Sequence, residues 1–207
     1  MDVIIPALTE EIKELENIKL PDPDLLNHYK LRDNRIFWID DDIDYNCIEL
    51  SREIQRINIE DYMIPPEDRK PIKIFIFSDG GSMYECFSLV SAIEQSVTPV
   101  WTINAGIAFS AAGIILLSGS KRFAYKRSEM LIHSGSGSVG GTFEQTDAQM
   151  NAYKNLVSKM FDFVLERTNI DKKTLNKKKN KDWFISDEEQ VELGIVDKIV
   201  DSIDELL

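Results

Sequence analysis

Cysteine and histidine are scarce in this chain of 207 residues, which contains two of each. Cys47 and Cys86 lie far apart and form no CxxC pair, so they exclude a disulfide framework and a cysteine-rich zinc site. Two lone thiols are typical of a reducing compartment, and we expect a soluble protein of the cytoplasm. The sequence predicts neither a metal nor any other cofactor.

Long apolar runs and positive charge are also lacking. The apolar run at 105–119 is shorter than the roughly 20 residues of a membrane-spanning helix, and the acidic N-terminus does not resemble a signal peptide. The formal net charge of −12 disfavours nucleic acid and anionic membrane surfaces, because binding to phosphates needs a positive surface. We interpret the one basic cluster, residues 172–181, as a solvated loop or helix face.

Strand and helix signals alternate through residues 35–207. Runs rich in β-branched and aromatic residues predict strands at 35–40, 72–77, 98–104, 122–125, 129–133 and 195–200. Apolar spacing predicts helices at 44–58, 83–95, 110–117 and 143–168, and a short one near 186. The apolar stripe of the helix at 143–168 includes Met150, Tyr153, Met160 and Val164. This order predicts an α/β domain with a mainly parallel sheet. Residues 1–34 are polar and acidic, and we interpret them as an N-terminal extension with a short helix at 10–17.

Two loops at predicted strand ends hold residues suited to catalysis, since the active sites of parallel sheets collect there. Gly80 and Gly81 follow the strand at 72–77, and they either turn N–H groups toward an oxyanion or simply form a tight turn. Ser110 stands at a helix start, where free N–H groups favour developing negative charge. Taken alone, that position favours a helix N-cap over a nucleophile.

A third loop begins at His133, which ends a predicted strand. It is the stronger candidate for a general base, because the other histidine, His28, lies in the polar N-terminal region. A hydrogen-bonded core histidine is the alternative. A catalytic triad also needs a carboxylate that orients the imidazole. Composition leaves that choice open among several acidic residues that follow the histidine: Glu144, Asp147, Asp182 and Asp187.

Residues 135–140 match the glycine pattern GxGxxG of dinucleotide-binding folds. That fingerprint also requires a second strand, ending in an acidic residue about 20 positions further on. A continuous helix is predicted there instead, so we disfavour a nucleotide site. The chain has no GxxxxGK[ST] motif, and ATP hydrolysis by the chain itself is not indicated.

Three segments resemble the Clp protease proteolytic subunit (ClpP) family, and they occur in the order found in that family. They are IFIFSDGGS, GIAFSAAGIILLSGSKRFAYKRSEMLIH and DWFISDEEQVELGIVDKIV. The resemblance runs from about residue 35 to residue 200. It implies a ClpP/crotonase-like fold for residues 35–207, with repeated βαβ units, a mainly parallel sheet and a protruding handle helix at about 134–168.

The same resemblance implies a role for each matched residue. Ser110 corresponds to the nucleophile, His133 to the base and Asp182 to the acid of the triad. Gly80 and the N–H of Ala111 correspond to the oxyanion hole.

The implied function is that of a serine endopeptidase, the proteolytic subunit of a Clp-type ATP-dependent protease that cleaves unfolded polypeptides inside a ring chamber. The implied partners are polypeptide substrates, further copies of the chain in heptameric rings stacked as a tetradecamer, and an AAA+ unfoldase ATPase. Neither nucleic acid nor a membrane is expected as a partner.

The chain also departs from the family pattern. Asp79 stands where the family usually has proline, and a carboxylate there disfavours an oxyanion. Ser134 and Gly135 replace Gln-Pro after the histidine, and residues 1–34 do not match the axial-gate segment clearly. Three alternatives follow from these departures and from the fold: a catalytically weak or inactive ring subunit, a phage-type head-maturation protease, and crotonase-like acyl-CoA chemistry.

Overall fold

The computed structural model of the chain describes residues 23–178 and 180–206, and its contacts divide the chain between Asn34 and Arg35 into two compact units. The described part of the first unit forms helix α1 (Pro23–Asp33). Proline at the first helical position and basic residues in the last turn favour this helix, but none of its residues is buried, so apolar spacing did not predict it. The helix predicted at 10–17 lies outside the described residues.

The described part of the second unit contains one seven-stranded sheet. Its strands are β1 (Ile36–Ile39), β2 (Ile72–Ser78), β3 (Val100–Phe109), β4 (Lys121–Tyr125), β5 (Glu129–Ile132), β6 (Trp183–Ser186) and β7 (Lys198–Val200). The strands β1-β2-β3-β4-β7 are parallel neighbours in that order. β5 pairs in parallel with β3 and antiparallel with β6. The predicted α/β fold with a mainly parallel sheet is confirmed.

Helices of this unit are α2 (Asn46–Glu60), α3 (Met83–Glu94), α4 (Ala111–Ser118), α5 (Phe143–Arg167), α6 (Lys172–Lys178) and α7 (Asp187–Glu192). Short 3₁₀ turns lie at Pro66–Asp68 and Ile203–Glu205. The main core holds Ile72, Ile74 and Ile76 of β2 together with apolar residues of α2, α3 and α4. Phe75 points to the opposite face, as strand alternation requires, and joins a smaller cluster there. All of α4 is buried, so a helix start lies at the centre of the fold.

Strand β3 is longer than the prediction of 98–104. The small residues that we expected to form a turn continue the strand to Phe109, and the turn comes at Ser110. β3 changes neighbours along its length: Asn104 pairs with Ala124 of β4, whereas Ile107 pairs with Glu129 of β5. The extra length therefore gives β5 a partner beyond the end of β4.

The segment between α5 and α7, for which no helix or strand was predicted, contains α6 and β6. In α6 the lysines are exposed and Leu175 is buried, which confirms the interpretation of this cluster as a helix face. Alternation marks β6, since Trp183 and Ile185 are buried and Phe184 between them is exposed. The last strand, β7, is shorter than the predicted 195–200.

Helix α5 begins with a capping box formed by Thr142 and Gln145, and its bounds lie within one residue of the prediction. Met160 and Val164 near its C-terminal end are buried in the main core. Met150, predicted as part of the same apolar stripe, is exposed, as is Phe143. The N-terminal half of α5 thus carries apolar residues that the described part of the chain leaves exposed. None of the described helices combines the length and apolar character needed to cross a membrane.

Candidate active site

Ser110 forms the sharp turn between β3 and α4. Its backbone has φ 54° and ψ −122°, a conformation that costs a non-glycine residue about 1–3 kcal/mol and clusters at functional sites. Its N–H donates to the carbonyl of Leu131 in β5 at 2.9 Å, and its carbonyl accepts from the N–H of Gly113 at 3.1 Å. Such a strand-to-helix turn presents the serine Oγ beside the free N–H groups of a helix start.

His133 directly follows β5, and its Nε2 lies 2.7 Å from the Oγ of Ser110. The sheet produces this contact. Phe109 of β3 is paired with Leu131 of β5, and Ser110 and His133 follow these two strands at the same edge of the sheet. An imidazole in hydrogen-bond contact with a serine hydroxyl is able to take its proton as the oxygen attacks an electrophile. The pair has the geometry of a nucleophile and its general base.

Asp182 directly precedes β6 and faces the other side of the imidazole. Its Oδ1 lies 3.5 Å from Nδ1 of His133, longer than an ordinary N–H···O hydrogen bond, and its side chain is 64% exposed. The antiparallel pairing of Ile132 with Trp183 brings the two residues together.

The other carboxylates that composition left open have contacts elsewhere. Asp187 accepts a hydrogen bond from the N–H of Arg127, and Asp147 accepts one from the side chain of Asn151. Glu144 lies exposed in the first turn of α5. Of the four candidates, Asp182 is the one whose carboxylate lies within 4 Å of a ring nitrogen of His133.

The glycine turn after β2 lies against the serine. A Cβ built on Gly80 would come within 2.8 Å of the Cβ of Ser110 and 3.2 Å of the nitrogen of Ala111, and the φ of Gly80 is +108°. The N–H of Gly80 donates to the Oγ of Ser78 at 3.1 Å. Gly81, by contrast, lines the pocket that contains Ser110. The two oxyanion groups implied by the resemblance, Gly80 and Ala111, thus lie beside the serine, but the N–H of Gly80 already has a partner.

A pocket of about 230 Å³ opens over Ser110 and His133. Its apolar wall comes from α3 and α5 and consists of Met83, Leu156, Val157 and Met160. Asp79 lies exposed at its edge. The Oη of Tyr153 donates to the carbonyl of Ser134 at 3.0 Å and thereby holds the loop after the histidine against α5.

Sequence reasoning missed several residues that shape the site. Ser78, which accepts from Gly80 and donates to the carbonyl of Asp41 at 2.6 Å, is one of them. Tyr153 is another, because its place in the apolar stripe of α5 indicated only a packing role. A serine two residues before the first glycine of a Gly-Gly turn was a usable signal for Ser78, since such hydroxyls often bond to the backbone two residues on.

Neither cysteine is suited to act as a nucleophile. Burial raises the pKa of Cys47 to about 11, and burial raises the pKa of Cys86 further above the ordinary thiol range. Both thiols stay protonated at neutral pH, and the Cys86 Sγ lies 3.3 Å from the carbonyl oxygen of Ala111. Across residues 23–178 and 180–206, no group of three His, Cys, Asp or Glu side chains could hold a metal ion.

The glycine-rich segment 135–140 lies in the loop between β5 and α5. The strand that follows α5 in the chain and pairs with β5 is β6, and that pairing is antiparallel. A dinucleotide site of the kind considered above needs a parallel strand at this place. The sheet therefore supports the rejection of a nucleotide fingerprint here.

The fold and the site together define an α/β protein with a Ser–His–Asp arrangement at the carboxyl edge of a parallel sheet. Comparison with known proteins narrows this class. The Clp protease family model matches residues 33–203. A curated relative from Cyanophora paradoxa, an ATP-dependent Clp protease proteolytic subunit, is 30% identical over 96% of this chain and 97% of its own length. The chain belongs to the Clp protease family.

Two further comparisons agree with this assignment. Proteolytic subunit 2 of the ATP-dependent Clp protease of Treponema denticola is 33% identical over 132 residues, which are 63% of this chain and 66% of that protein, slightly under two thirds. A solved structure of a ClpP1 mutant from Listeria monocytogenes matches with a TM-score of 0.73 at 22% identity, over 86% of this chain and 98% of that one. The fold is therefore the ClpP fold that the sequence predicted.

Proposed function

We propose that this protein is a serine endopeptidase and the proteolytic subunit of an ATP-dependent Clp protease. The observation that carries the proposal is the 2.7 Å contact between Ser110 Oγ and His133 Nε2 at a strained strand-to-helix turn. A serine used only as a helix cap needs neither the left-handed backbone nor the histidine. Membership of the Clp protease family supports the same function.

In the proposed mechanism, Ser110 attacks the carbonyl carbon of a peptide bond while His133 accepts the hydroxyl proton. Asp182 holds the imidazole and stabilises its charged form. His133 then gives the proton to the leaving amine, and water releases the acyl group by the reverse sequence. An oxyanion forms in both steps, and we expect two backbone N–H groups without another hydrogen-bond acceptor to face it.

The oxyanion donors that we propose are the N–H of Ala111 and one N–H of the Gly80–Gly81 turn. Ala111 is the first residue of α4, and the N–H groups of a first helical turn have no partner within the helix. Within the glycine turn, Gly81 is the better placed of the two, because it lines the pocket while the N–H of Gly80 donates to Ser78.

The decisive experiment is labelling with a fluorophosphonate, which reacts with activated serines. We expect wild type to label, Ser110→Ala to lose labelling entirely, and Ser136→Ala, which changes another serine of the same pocket, to label like wild type. A wild type that fails to label, or a Ser110→Ala variant that labels equally, would rule the proposal out. Binding of acyl-CoA without labelling would point to crotonase-like chemistry instead.

We further propose that the chain assembles into heptameric rings stacked as a tetradecamer and works in the cytoplasm with an AAA+ unfoldase. The apolar residues left uncovered on the N-terminal half of α5, Phe143 and Met150, support a contact with other copies. Native mass spectrometry should give a particle of about fourteen times the 23.7 kDa chain mass. Degradation of a folded substrate should require ATP and the unfoldase. A particle that reacts with the fluorophosphonate but never degrades protein would favour the catalytically weak ring subunit instead.

A further inference from the structure

Two buried side-chain amides meet beside the strands that carry the site, one in the middle of β3 and the other in α7. Asn104 and Gln190 are both 0% exposed. The Nδ2 of Asn104 donates to the Oε1 of Gln190 at 3.1 Å, across 86 positions of the chain. An amide is costly to bury unless its polar atoms are hydrogen-bonded, so their further contacts show what the pair holds together.

Asn104 lies where β3 changes from one neighbour to the next. Its pairing with Ala124 ends the β4 ladder, and the β5 ladder begins at the pair Ile107 and Glu129. Across this gap the side chain replaces the missing ladder bonds. Its Nδ2 donates to the carbonyl of Glu129 at 2.9 Å, and its Oδ1 accepts from the N–H of Gly106 at 3.2 Å.

Gln190 extends the same network from α7 to the residue before β5 and to β6. Its Nε2 donates to the carbonyl of Ser128, directly before β5, at 3.3 Å and to the carbonyl of Ile185 in β6 at 3.4 Å. Its backbone carbonyl accepts from the N–H groups of Ile195 and Val196, so the residue itself is held in place. The two amides together contact β3, the start of β5, β6 and α7.

We infer that the Asn104–Gln190 amide pair sets the register of β3, β5 and β6 and thereby positions the catalytic residues of the proposed peptidase. Ser110 directly follows β3, His133 directly follows β5 and Asp182 directly precedes β6. A shift of β5 along β3 would change the 2.7 Å contact between Ser110 and His133. Because a misplacement of reacting groups by about 1 Å lowers a reaction rate by about 100-fold, the register of these strands should affect the rate of acylation.

The catalytic part of this inference rests on the proposed function. Asn104 and Gln190 touch neither the pocket nor the reacting atoms, so they are positioning residues. Any buried polar pair also contributes to stability, and the test must separate the two roles. Thr102 provides a matched control, because it lies on the same strand, is 0% exposed and donates to the carbonyl of Leu116 at 2.7 Å.

The experiment measures the rate of acylation at saturating fluorophosphonate for Asn104→Leu, Gln190→Met and Thr102→Val, at a temperature where all are folded. We expect the first two to acylate about tenfold more slowly than wild type and Thr102→Val to stay within about twofold, even though it too loses a buried hydrogen bond. The double variant Asn104→Leu/Gln190→Met should be no slower than the slower single variant, because the two residues act as one unit. Gln190→Asn keeps the amide but shortens the side chain, and it replaces the other variants should they fail to fold. We expect it, too, to acylate more slowly than wild type.

Crystal structures of wild type and Gln190→Met give a readout that does not depend on activity. We expect the distance between Ser110 Oγ and His133 Nε2 to exceed about 3.5 Å in the variant. Unchanged acylation in a folded variant, a loss of rate equal to that of Thr102→Val, or an unchanged distance would each overturn the positioning role. A wild type that does not label would instead overturn the proposed function, and the crystal distances would still decide the role of the amide pair.

Discussion

Ile132 and Trp183 are paired across the antiparallel β5–β6 ladder, and this pairing sets His133 beside Asp182. The two residues belong to segments that are far apart in the sequence. β6 contributes no residue to the pocket, yet without it the imidazole would have no carboxylate facing its second nitrogen. The short strand that sequence reasoning overlooked is therefore the element that completes the site.

Replacing Asp182 with asparagine should slow acylation on the order of 100-fold, because the imidazole loses the charge that stabilises its protonated form. We expect less than the roughly 10⁴-fold loss known for a buried triad aspartate, since this side chain is 64% exposed and 3.5 Å from the ring. Fluorophosphonate kinetics measure the rate. Glu188→Gln, an exposed change on the neighbouring helix, is the control and should have no effect. A loss of less than about twofold in Asp182→Asn would remove Asp182 from the proposed triad.

Adding one methyl group at Gly80 should displace the nucleophile. The new Cβ would lie 2.7 Å from the carbonyl oxygen of Phe109 and 2.8 Å from the Cβ of Ser110, and φ is +108°. We expect Gly80→Ala to lower the acylation rate at least about 100-fold. Gly140→Ala is the matched control, because nothing lies within 4 Å of its Cβ position. Equal rates for the two variants would mean that the glycine turn does not support the serine.

Neutralising Asp79 should raise activity. Its carboxylate lies at the edge of the pocket in which a negative oxyanion would form, and like charges repel. We expect Asp79→Asn to acylate about threefold faster at low ionic strength, with the gain shrinking at about 1 M salt because exposed charges are screened. Asp162→Asn, which removes an exposed charge from α5, controls for net charge. A slower Asp79→Asn variant would show that the carboxylate assists the reaction or binds substrate.

The buried ion pair at the opposite end of the sheet should make stability depend on acidic pH. Asp61 has a 0% exposed side chain and receives 2.7 Å hydrogen bonds from both Nη atoms of Arg35. These bonds, with one from Thr98, hold the pKa of Asp61 below its ordinary value against the opposing effect of burial. The pair therefore contributes stability above the unfolded-state pKa of about 3.9, and that contribution is lost as pH falls through the lowered folded-state pKa.

We expect Asp61→Asn to lower the free energy of unfolding by about 3 kcal/mol at pH 7, because it leaves the Arg35 charge without its partner. That cost should stay constant down to about pH 5. It should shrink below about pH 4, because Asp61 then binds a proton in the unfolded chain while the folded ion pair still holds its charge. Urea denaturation across this range measures it. Asp201→Asn breaks an exposed ion pair with Lys126 and should have a much smaller effect. A cost for Asp61→Asn that is constant down to pH 2 would contradict the assigned ionisation.

Local patterns were enough to predict most of the sheet and the long helix. The run at 72–77 is apolar apart from Lys73, because β2 lies between two strands and contributes side chains to both core clusters, so its pattern favours a central strand. The apolar spacing of α5 predicted its bounds within one residue. Strand β6 was missed because four residues beside a lysine-rich segment give a weak signal, and its pairing partner lies some fifty positions away. Helix α1 was missed because it buries no apolar face.

The sequence by itself determined the class of fold and singled out the loops in which we propose the chemistry, because these depend on residue type and local period. The grouping of Ser110, His133 and Asp182 was implied by the resemblance to a family. The distances between them depend on the tertiary structure, through the registers of β5 with β3 and of β5 with β6. Only the tertiary structure showed that Gly81 rather than Gly80 lines the pocket and that Asn104 meets Gln190. Such contacts depend on strand pairing between distant segments, and no local pattern of residues encodes which strand lies beside which.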